Sequence, residues 1–524
     1  MYMVAAALIV LVSPVQGQEA YEREDIRFRI RRFEISGNTI LTEDKLREEL
    51  DDFVGRGKTV EDIELARQWL ENVYTEMGYL TVLVTVPEQT VENGVVRLDV
   101  IERKIRKVKI TGNRYYTMEK ILADLPSLNP GELFYMPKVK EDLAWINSKR
   151  DIVVAPYLRE SPLPDRVDLE LKVKDHLPLH GSLEINNRNS PETTDLRLNA
   201  SIGYHNLWQK EHAFVLQYQT SPEDFDEVQV VAASYTLPAP WVPEHMLAFY
   251  GIASDSDTAF GEGFEVLGKG FMLGARLVLP LPEYKSYQHN LTAGVDYKDF
   301  EETIGFEDGE EVVTPIAYLP FSLAYSSSLP DAYGTNLFSL GINLAFRGLV
   351  TDQEDFEQKR FKSRGDYLYA TLGWERYQPL PAEWLIYAKL DGQAASQPLI
   401  SNEQYIAGGM ESVRGYYESE ESGDNALHGT FELQKRGLSK LIALSDMWRL
   451  STFVFFDFAE LWLNDALPQE DDRTSIQGGG FGIRGGYRQR FDFEVDWGLA
   501  LSDGSDGNTE SGDSRIHFKV QYRF

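Results

Sequence analysis

Apolar and polar positions follow two different periods along this chain, and the change falls near His176. Upstream, Ile63, Ala66, Leu70, Val73 and Met77 recur at helical spacing, which predicts a helix over Thr59–Met77 with that stripe against a core. A shorter helix is expected over Thr42–Leu50, with Thr42 as its N-cap. Strands are expected at Phe33–Ser36, Tyr79–Val86 and Val95–Glu102. The order β-α-α-β-β then repeats. Phe33-Glu34-Ile35-Ser36-Gly37-Asn38 returns as Val108-Lys109-Ile110-Thr111-Gly112-Asn113. Helices at Met118–Leu125 and Pro137–Asn147 follow, then strands at Val153–Arg159 and Asp168–Lys174. Each unit, of roughly 75 residues, is long enough to bury a small core.

Beyond His176 the helical period vanishes and period two takes over. Leu196-Arg197-Leu198-Asn199-Ala200, Phe214-Val215-Leu216-Gln217-Tyr218 and Phe493-Glu494-Val495-Asp496-Trp497 are examples. About 16 such segments run to the C-terminus, the even number expected of a closed transmembrane β-barrel. The last of them places Phe518, Val520, Tyr522 and Phe524 on one face, and the chain stops on that aromatic residue. An open amphipathic edge invites aggregation, whereas a closed barrel in lipid has no edge.

The connections sort by parity. One set is short and rich in proline and aromatics: Leu237–Trp241, Leu279–Pro282, Leu329-Pro330 and Leu380–Ala382. The alternate set is longer and acidic: Asp255–Glu265, Glu301–Glu311, Thr351–Glu357, Glu418–Asp424, Gln469–Asp472 and Asp503–Asp513. This matches short periplasmic turns and long outer loops, and it predicts that the acid is solvated outside. The formal net charge of -31 argues against a nucleic-acid partner, which needs a basic footprint. No cysteine is present, which excludes disulfides, thiolate metal sites and a cysteine nucleophile. No G-x-S-x-G, H-E-x-x-H or phosphate-binding loop occurs, so neither an enzyme nor a cofactor is expected. Asp503–Asp513 lacks EF-hand spacing, and His176 and His180 lie on a strand-like segment, so no metal is expected. At the N-terminus, Val4–Val12 is too short to span a bilayer as a helix but has the length of a signal-peptide core. Residues 1–17 are therefore read as a signal peptide, although no basic residue precedes the apolar run.

Three motifs stand out in the second half: Gly408-Gly409-Met410-Glu411-Ser412-Val413-Arg414-Gly415-Tyr416 in the longest connection, Phe455-Phe456-Asp457-Phe458-Ala459 on a strand, and Gly479-Gly480-Phe481-Gly482-Ile483-Arg484. An aspartate facing a barrel interior needs a partner, and a glycine-rich strand allows close approach.

Val413, Arg414, Gly415 and Tyr416 resemble the VRGY motif of the superfamily of barrel-assembly proteins and two-partner secretion transporters (TpsB). Phe455, Asp457 and Ala459 resemble its F-x-D-x-G strand motif, with alanine where glycine is usual. The two repeats, 28–103 and 104–175, look like POTRA domains, and two of them resemble the TpsB branch of ShlB/FhaC/HecB type. The resemblance implies periplasmic POTRA domains, a barrel over 176–524 in the bacterial outer membrane, and a loop, 397–425, folded inward so that Arg414 pairs with Asp457. It also implies export of one large secreted (TpsA-like) exoprotein, a barrel meeting outer-membrane lipid, and insertion by the barrel-assembly machinery through Phe518, Tyr522 and Phe524.

Partner capture has a physical basis in strand addition to an exposed edge. Tyr79, Val82 and Val84 mark the candidate edge. Leu65 and Trp69, four apart on the preceding helix, are candidates to line a groove beside it, or else simply widen the buried face. Only about ten residues separate Gln18 from Phe28, too few for the family's plug helix and linker, so either the plug is lacking or the gene start is truncated. Two other readings stay open, a barrel-assembly insertase and a passive porin. The first would be favoured by more POTRA repeats and by a weak seam between first and last strands; the second needs neither repeats nor VRGY.

Overall fold

The computed structural model describes residues 27–524 apart from 192, 257, 262–263, 306–310, 351–352, 469 and 506. The expected signal peptide lies outside the described residues. The chain divides into two compact units, one ending at Leu177 and one running from Pro178 to Phe524.

The first unit contains both repeats. Repeat one comprises β1 (Phe28–Ile30), β2 (Arg32–Ser36), α1 (Glu43–Leu50), β3 (Gly55–Lys58), α2 (Val60–Glu76), β4 (Val82–Thr85) and β5 (Val95–Glu102). Repeat two comprises β6 (Lys104–Thr111), α3 (Met118–Ala123), α4 (Met136–Ser148), β7 (Ile152–Glu160) and β8 (Arg166–Asp175). The sheet orders are the same, β2-β5-β4 and β6-β8-β7, with a parallel pair followed by an antiparallel one. β1 and β3 form a separate ribbon that the hydrophobic pattern did not signal, β3 being Gly-Arg-Gly-Lys.

The recurring Gly-Asn has one physical reason in both copies. Gly37 and Gly112 take positive φ, and a Cβ on either would lie 2.2 Å from a carbonyl oxygen of the central strand, Val100 or Val173. Only glycine allows that approach. Thr42 and Thr59 cap the two helices, Thr59 in a capping box with Asp62. The buried stripe of α2 is Ile63, Ala66, Leu70 and Tyr74, not the expected run to Met77, which is exposed. Tyr74 takes that place because its hydroxyl donates to Asn38 Oδ1 (2.6 Å) inside the core, and burial raises its pKa above the usual tyrosine range. Where the repeats meet, Tyr79 stacks on Tyr135 (4.7 Å between centroids) and the Met136 N–H donates to the Gly78 carbonyl (2.9 Å).

The second unit is a closed antiparallel barrel. Its first strands are β9 (Leu179–Asn186), β10 (Arg197–Leu207), β11 (His212–Thr220), β12 (Gln229–Ala239) and β13 (Val242–Asp255). A small hairpin, β14 (Thr258–Gly261) and β15 (Phe264–Leu267), stands in the next loop. The wall continues with β16 (Lys269–Pro280), β17 (Gln288–Gly305), β18 (Glu311–Tyr318), β19 (Phe321–Pro330) and β20 (Thr335–Leu344). After α5 (Gln353–Lys359) come β21 (Leu368–Leu380) and β22 (Trp384–Ala395). A second small hairpin, β23 (Tyr405–Ala407) and β24 (Glu421–Gly423), precedes β25 (Asn425–Lys435). α6 (Leu438–Leu441), β26 (Trp448–Trp462), β27 (Arg473–Tyr487), β28 (Phe491–Ala500) and β29 (Ser514–Arg523) complete it. β18 and β19 are two segments of one strand broken at Leu319-Pro320, each pairing a different half of β17. The wall therefore has 16 strands.

Period two sets which side chains face outward from the barrel. Leu216, Phe249, Leu273, Leu340, Leu372 and Phe481 are exposed on the outer surface. Trp208, Trp241, Tyr284, Tyr333 and Trp384 lie exposed at alternate turns, hence at one end of the barrel, where an aromatic belt sits at a membrane interface. At the seam, β29 pairs β9 from Lys519↔Asn186 to Arg523↔Ser182. Phe524 and Gly181 extend it by exchanging backbone hydrogen bonds (3.0 and 3.3 Å). The outward row of β29 includes Phe518 and Tyr522, and the Phe524 ring occupies the space that a side chain at Gly181 would need.

Candidate functional site

The longest connection in the barrel, between β22 and β25, turns back into the lumen. β23 and β24 pair (Tyr405↔Gly423, Ala407↔Glu421) and make a stem. Gly408 and Gly409, at φ +104° and +105°, start the tip. There the Gly409 N–H donates to the Val413 carbonyl (3.1 Å).

Arg414 sits at the end of this tip, 3 % exposed. Its Nε donates to Asp457 Oδ2 (2.7 Å) and its second terminal nitrogen to Oδ1 (2.9 Å), a bidentate fork, while its backbone N–H also reaches Oδ2 (3.2 Å). The other terminal nitrogen donates to Glu432 Oε1 (2.7 Å) and approaches Asp496 Oδ2 (3.4 Å). The guanidinium lies over the Phe455 ring, 3.5 Å from its centroid. Glu432, Asp457 and Asp496 come from β25, β26 and β28, so one arginine ties together three strands. Arg484 on β27 shares Glu432 (2.7 Å) and also holds Glu494 (2.7 Å).

Glycines make room for this. A Cβ at Gly478 would lie 2.0 Å from the Arg414 carbonyl oxygen, one at Gly480 2.8 Å from the Phe455 ring, and one at Gly482 2.3 Å from both Phe453 and Asp496. Across from them, Gly498 would meet the Gly415 nitrogen at 2.6 Å. Gly415 itself is at φ +107° and donates its N–H to His517 Nε2 (3.1 Å). Tyr416 is fully buried, its hydroxyl 2.7 Å from the Ser502 carbonyl and 2.9 Å from that of Gln477. Val413, Tyr416, Ala459 and Ile476 belong to one apolar cluster.

The acids of Glu418–Asp424 are not solvated, contrary to the expectation from composition. Glu418, Glu420, Glu421 and Asp424 are buried and paired. Glu418 takes Arg188 (3.2 Å), Glu420 takes Thr509 (2.8 Å), and Glu421 takes Ser505 (2.6 Å). Asp424 takes Arg360 (2.5 Å) and the backbone N–H groups of Leu399 and Asn464 (2.8 and 2.7 Å). Nearer the loop's start, Glu403 accepts from Lys298, Tyr318 and Tyr369 at 2.6–2.8 Å. The loop is thus pinned to the wall through Arg414 and Glu403 and to neighbouring connections through Glu418, Glu420, Glu421 and Asp424, so acid that reads as surface charge works as its anchoring. A polar cavity of about 460 Å³ remains beside the tip, with Glu184, Gln217, Arg484, Glu494 and Lys519 among its lining.

Sequence reasoning missed Glu432, Asp496, His517 and Arg484 as neighbours of Arg414. The available signal was charge on the inward parity of amphipathic strands, where a lone carboxylate needs a cation.

In the N-terminal unit the five candidate residues do not form one groove. Val82 and Val84 are buried on β4, the edge strand, which begins at Val82 and not at Tyr79. Tyr79 lies in the turn before it and packs on Tyr135. Leu65 and Trp69 are about half-exposed, and the Trp69 indole donates to Glu49 on α1 (3.2 Å). The flank of α2 that faces β4 carries Arg67 and Glu71 instead, because residues two apart on a helix point to different sides.

Residues 28–103 match a POTRA domain of ShlB type. Over 388 residues the chain is 22 % identical to the outer membrane transporter CdiB of Dickeya dadantii, covering 73 % of this chain and 67 % of that protein. It is 19 % identical over 412 residues to the heme/hemopexin transporter protein HuxB of Haemophilus influenzae, covering 76 % and 70 %. The fold resembles that of CdiB from Escherichia coli (TM-score 0.62, 16 % identity, 97 % and 93 % covered). It also resembles BamA from Haemophilus ducreyi lacking POTRA domains 1–3 (TM-score 0.57, 14 % identity, 95 % and 100 % covered). The match to the haemolysin secretion/activation protein ShlB/FhaC/HecB spans residues 165–485, most of the wall and the whole Arg414 loop. On that ground the chain belongs to this family of two-partner secretion transporters, with its barrel in the bacterial outer membrane and its N-terminal POTRA region in the periplasm.

Proposed function

We propose that this protein carries one secreted exoprotein across the outer membrane, capturing it in the periplasm through POTRA domains 28–103 and 104–175 and passing it through the barrel. Members of the family are transporters and not enzymes. The observation that carries the reading is the lumen occupied by a loop hung on the buried Arg414–Asp457–Glu432–Asp496 cluster. A loop held by discrete ion pairs has a docked and an undocked arrangement, and passage of a chain needs the second. We place capture on the edge of the β2-β5-β4 sheet, because strand addition satisfies the backbone of an unfolded chain without reading its sequence. The barrel-assembly machinery would insert the barrel by reading Phe518, Tyr522 and Phe524, and the apolar outer surface would meet lipid.

The seam is the shortest pairing in the wall, five residue pairs from Lys519↔Asn186 to Arg523↔Ser182 continued by Gly181 and Phe524, and this is the one feature of the barrel that favours the insertase reading. The test is co-expression with a candidate large secreted exoprotein, sought first among the neighbouring genes, assaying the medium. Export should require the intact gene and fail when 28–102 are deleted, while the barrel still inserts. Undiminished export from the deletion would refute capture by repeat one. Loss of other barrels from the outer membrane would favour the insertase.

A further inference from the structure

The edge strands of the two repeats are not bare. In repeat one the Val84 backbone faces away from β5, and side chains of α2 satisfy both of its groups. Its N–H donates to Glu71 Oε2 (3.2 Å), and its carbonyl accepts from Arg67 (3.1 Å). Repeat two does the same with different chemistry. Val154 on the edge strand β7 donates its N–H to Asn147 Oδ1 (2.7 Å) and accepts from Asn147 Nδ2 (3.0 Å), and Asn147 lies on α4. Val84 and Val154 correspond: each is buried and lies opposite a central-strand valine, Val100 or Val173. Two unrelated side-chain solutions at one position point to a requirement of the site. That requirement is one donor and one acceptor at the spacing that a residue of an added strand would present.

We propose that Arg67 and Glu71 are a displaceable stand-in for the exported strand, holding the β4 edge until an extended segment of cargo replaces them. This rests on the reading that repeat one captures the cargo. The empty edge is thereby protected from pairing with the wrong chain. Displacement is cheap in repeat one because the two side chains keep other partners on the helix surface. Arg67 stays bonded to Glu64 (2.6 Å) and to Glu71 (2.7 Å) when Val84 is taken away. Asn147 has both of its bonds with Val154, which makes repeat one the easier edge to open.

The test uses the full-length protein in lipid nanodiscs and a fluorescent octapeptide of alternating threonine and valine, flanked by lysines, read by anisotropy. Removing two competing hydrogen bonds in R67A/E71A should tighten binding about tenfold. E71Q, whose amide oxygen still accepts, should stay within about twofold of the parent. Amide exchange at Val84 should quicken in R67A/E71A and slow again on adding the peptide, with Leu98 in the sheet centre unchanged as proof of folding. Unchanged or weaker peptide binding by the folded double variant would overturn the proposal, as would E71Q behaving like it. Tighter peptide binding, with export persisting after deletion of 28–102, would uphold the stand-in and overturn the capture role.

Discussion

Truncating Arg414 tests whether the loop is held by its ion pairs or merely fills space. Arg414→Ala removes a guanidinium that is 3 % exposed, bidentate to an aspartate that is 0 % exposed, and bonded to a glutamate that is 1 % exposed. Arg484 still reaches Glu432, but it does not reach Asp457. Asp457 is left as a buried charge without its fork, a situation that costs roughly 3–5 kcal/mol. The stem stays tied through Glu403 and Asp424, so the barrel should stay folded and only the tip should open more often. The native chain has no cysteine, which gives a clean assay. Val413→Cys replaces a fully buried side chain beside Arg414 and can be labelled by a membrane-impermeant maleimide only when the tip opens. The labelling rate follows the open population, so adding Arg414→Ala should raise it about 100- to 4,000-fold. Arg414→Lys, which keeps the charge but loses the fork, should fall between. An increase below about tenfold in the folded double variant would show that packing, not the ion cluster, docks the loop. Export should fall together with docking; wild-type export from Arg414→Ala would detach the motif from transport.

The glycine at the tip and an acid at a turn give two further tests. Gly415→Ala should destabilise the barrel by about 2 kcal/mol or more through strain at positive φ and a Cβ held 3.0 Å from the backbone of Leu499 and Ala500. Gly512→Ala has a similar φ of +100° but open space, so equal melting temperatures for the two variants would refute the steric part. Asp331 bonds Arg376 and the N–H groups of Tyr333 and Gly334, which together hold its carboxyl below the usual range. A depressed folded-state pKa adds stability above the unfolded value of about 4 and loses it as pH falls further. The melting difference between the parent and Asp331→Asn should therefore be full at pH 7 and shrink below about pH 4, and a difference independent of pH would refute it.

Period and punctuation carried most of the architecture. Helical spacing around Ile63 and Leu70, the recurrence of Gly37-Asn38 as Gly112-Asn113, and period two after His176 determined the β-α-α-β-β repeats and a barrel wall. These are local signals, because each reports which face of one element is buried. Motif chemistry likewise singled out Arg414, Asp457 and the glycines of β27. What the sequence alone did not determine were pairings between distant residues. Glu432 and Asp496 join Arg414, and His517 joins Gly415, only because the barrel register sets β25, β28 and β29 around the same point. The buried fate of Glu418, Glu420, Glu421 and Asp424 is of the same kind. A carboxylate reads as solvated until tertiary structure supplies Arg188, Thr509, Ser505 and Arg360. On α2 the sequence drew attention to Leu65 and Trp69 because they are apolar, four apart and off the core stripe. Only the fold shows that the flank turned to the edge strand is Arg67 and Glu71, since which side of a helix meets a sheet edge is decided by packing between elements.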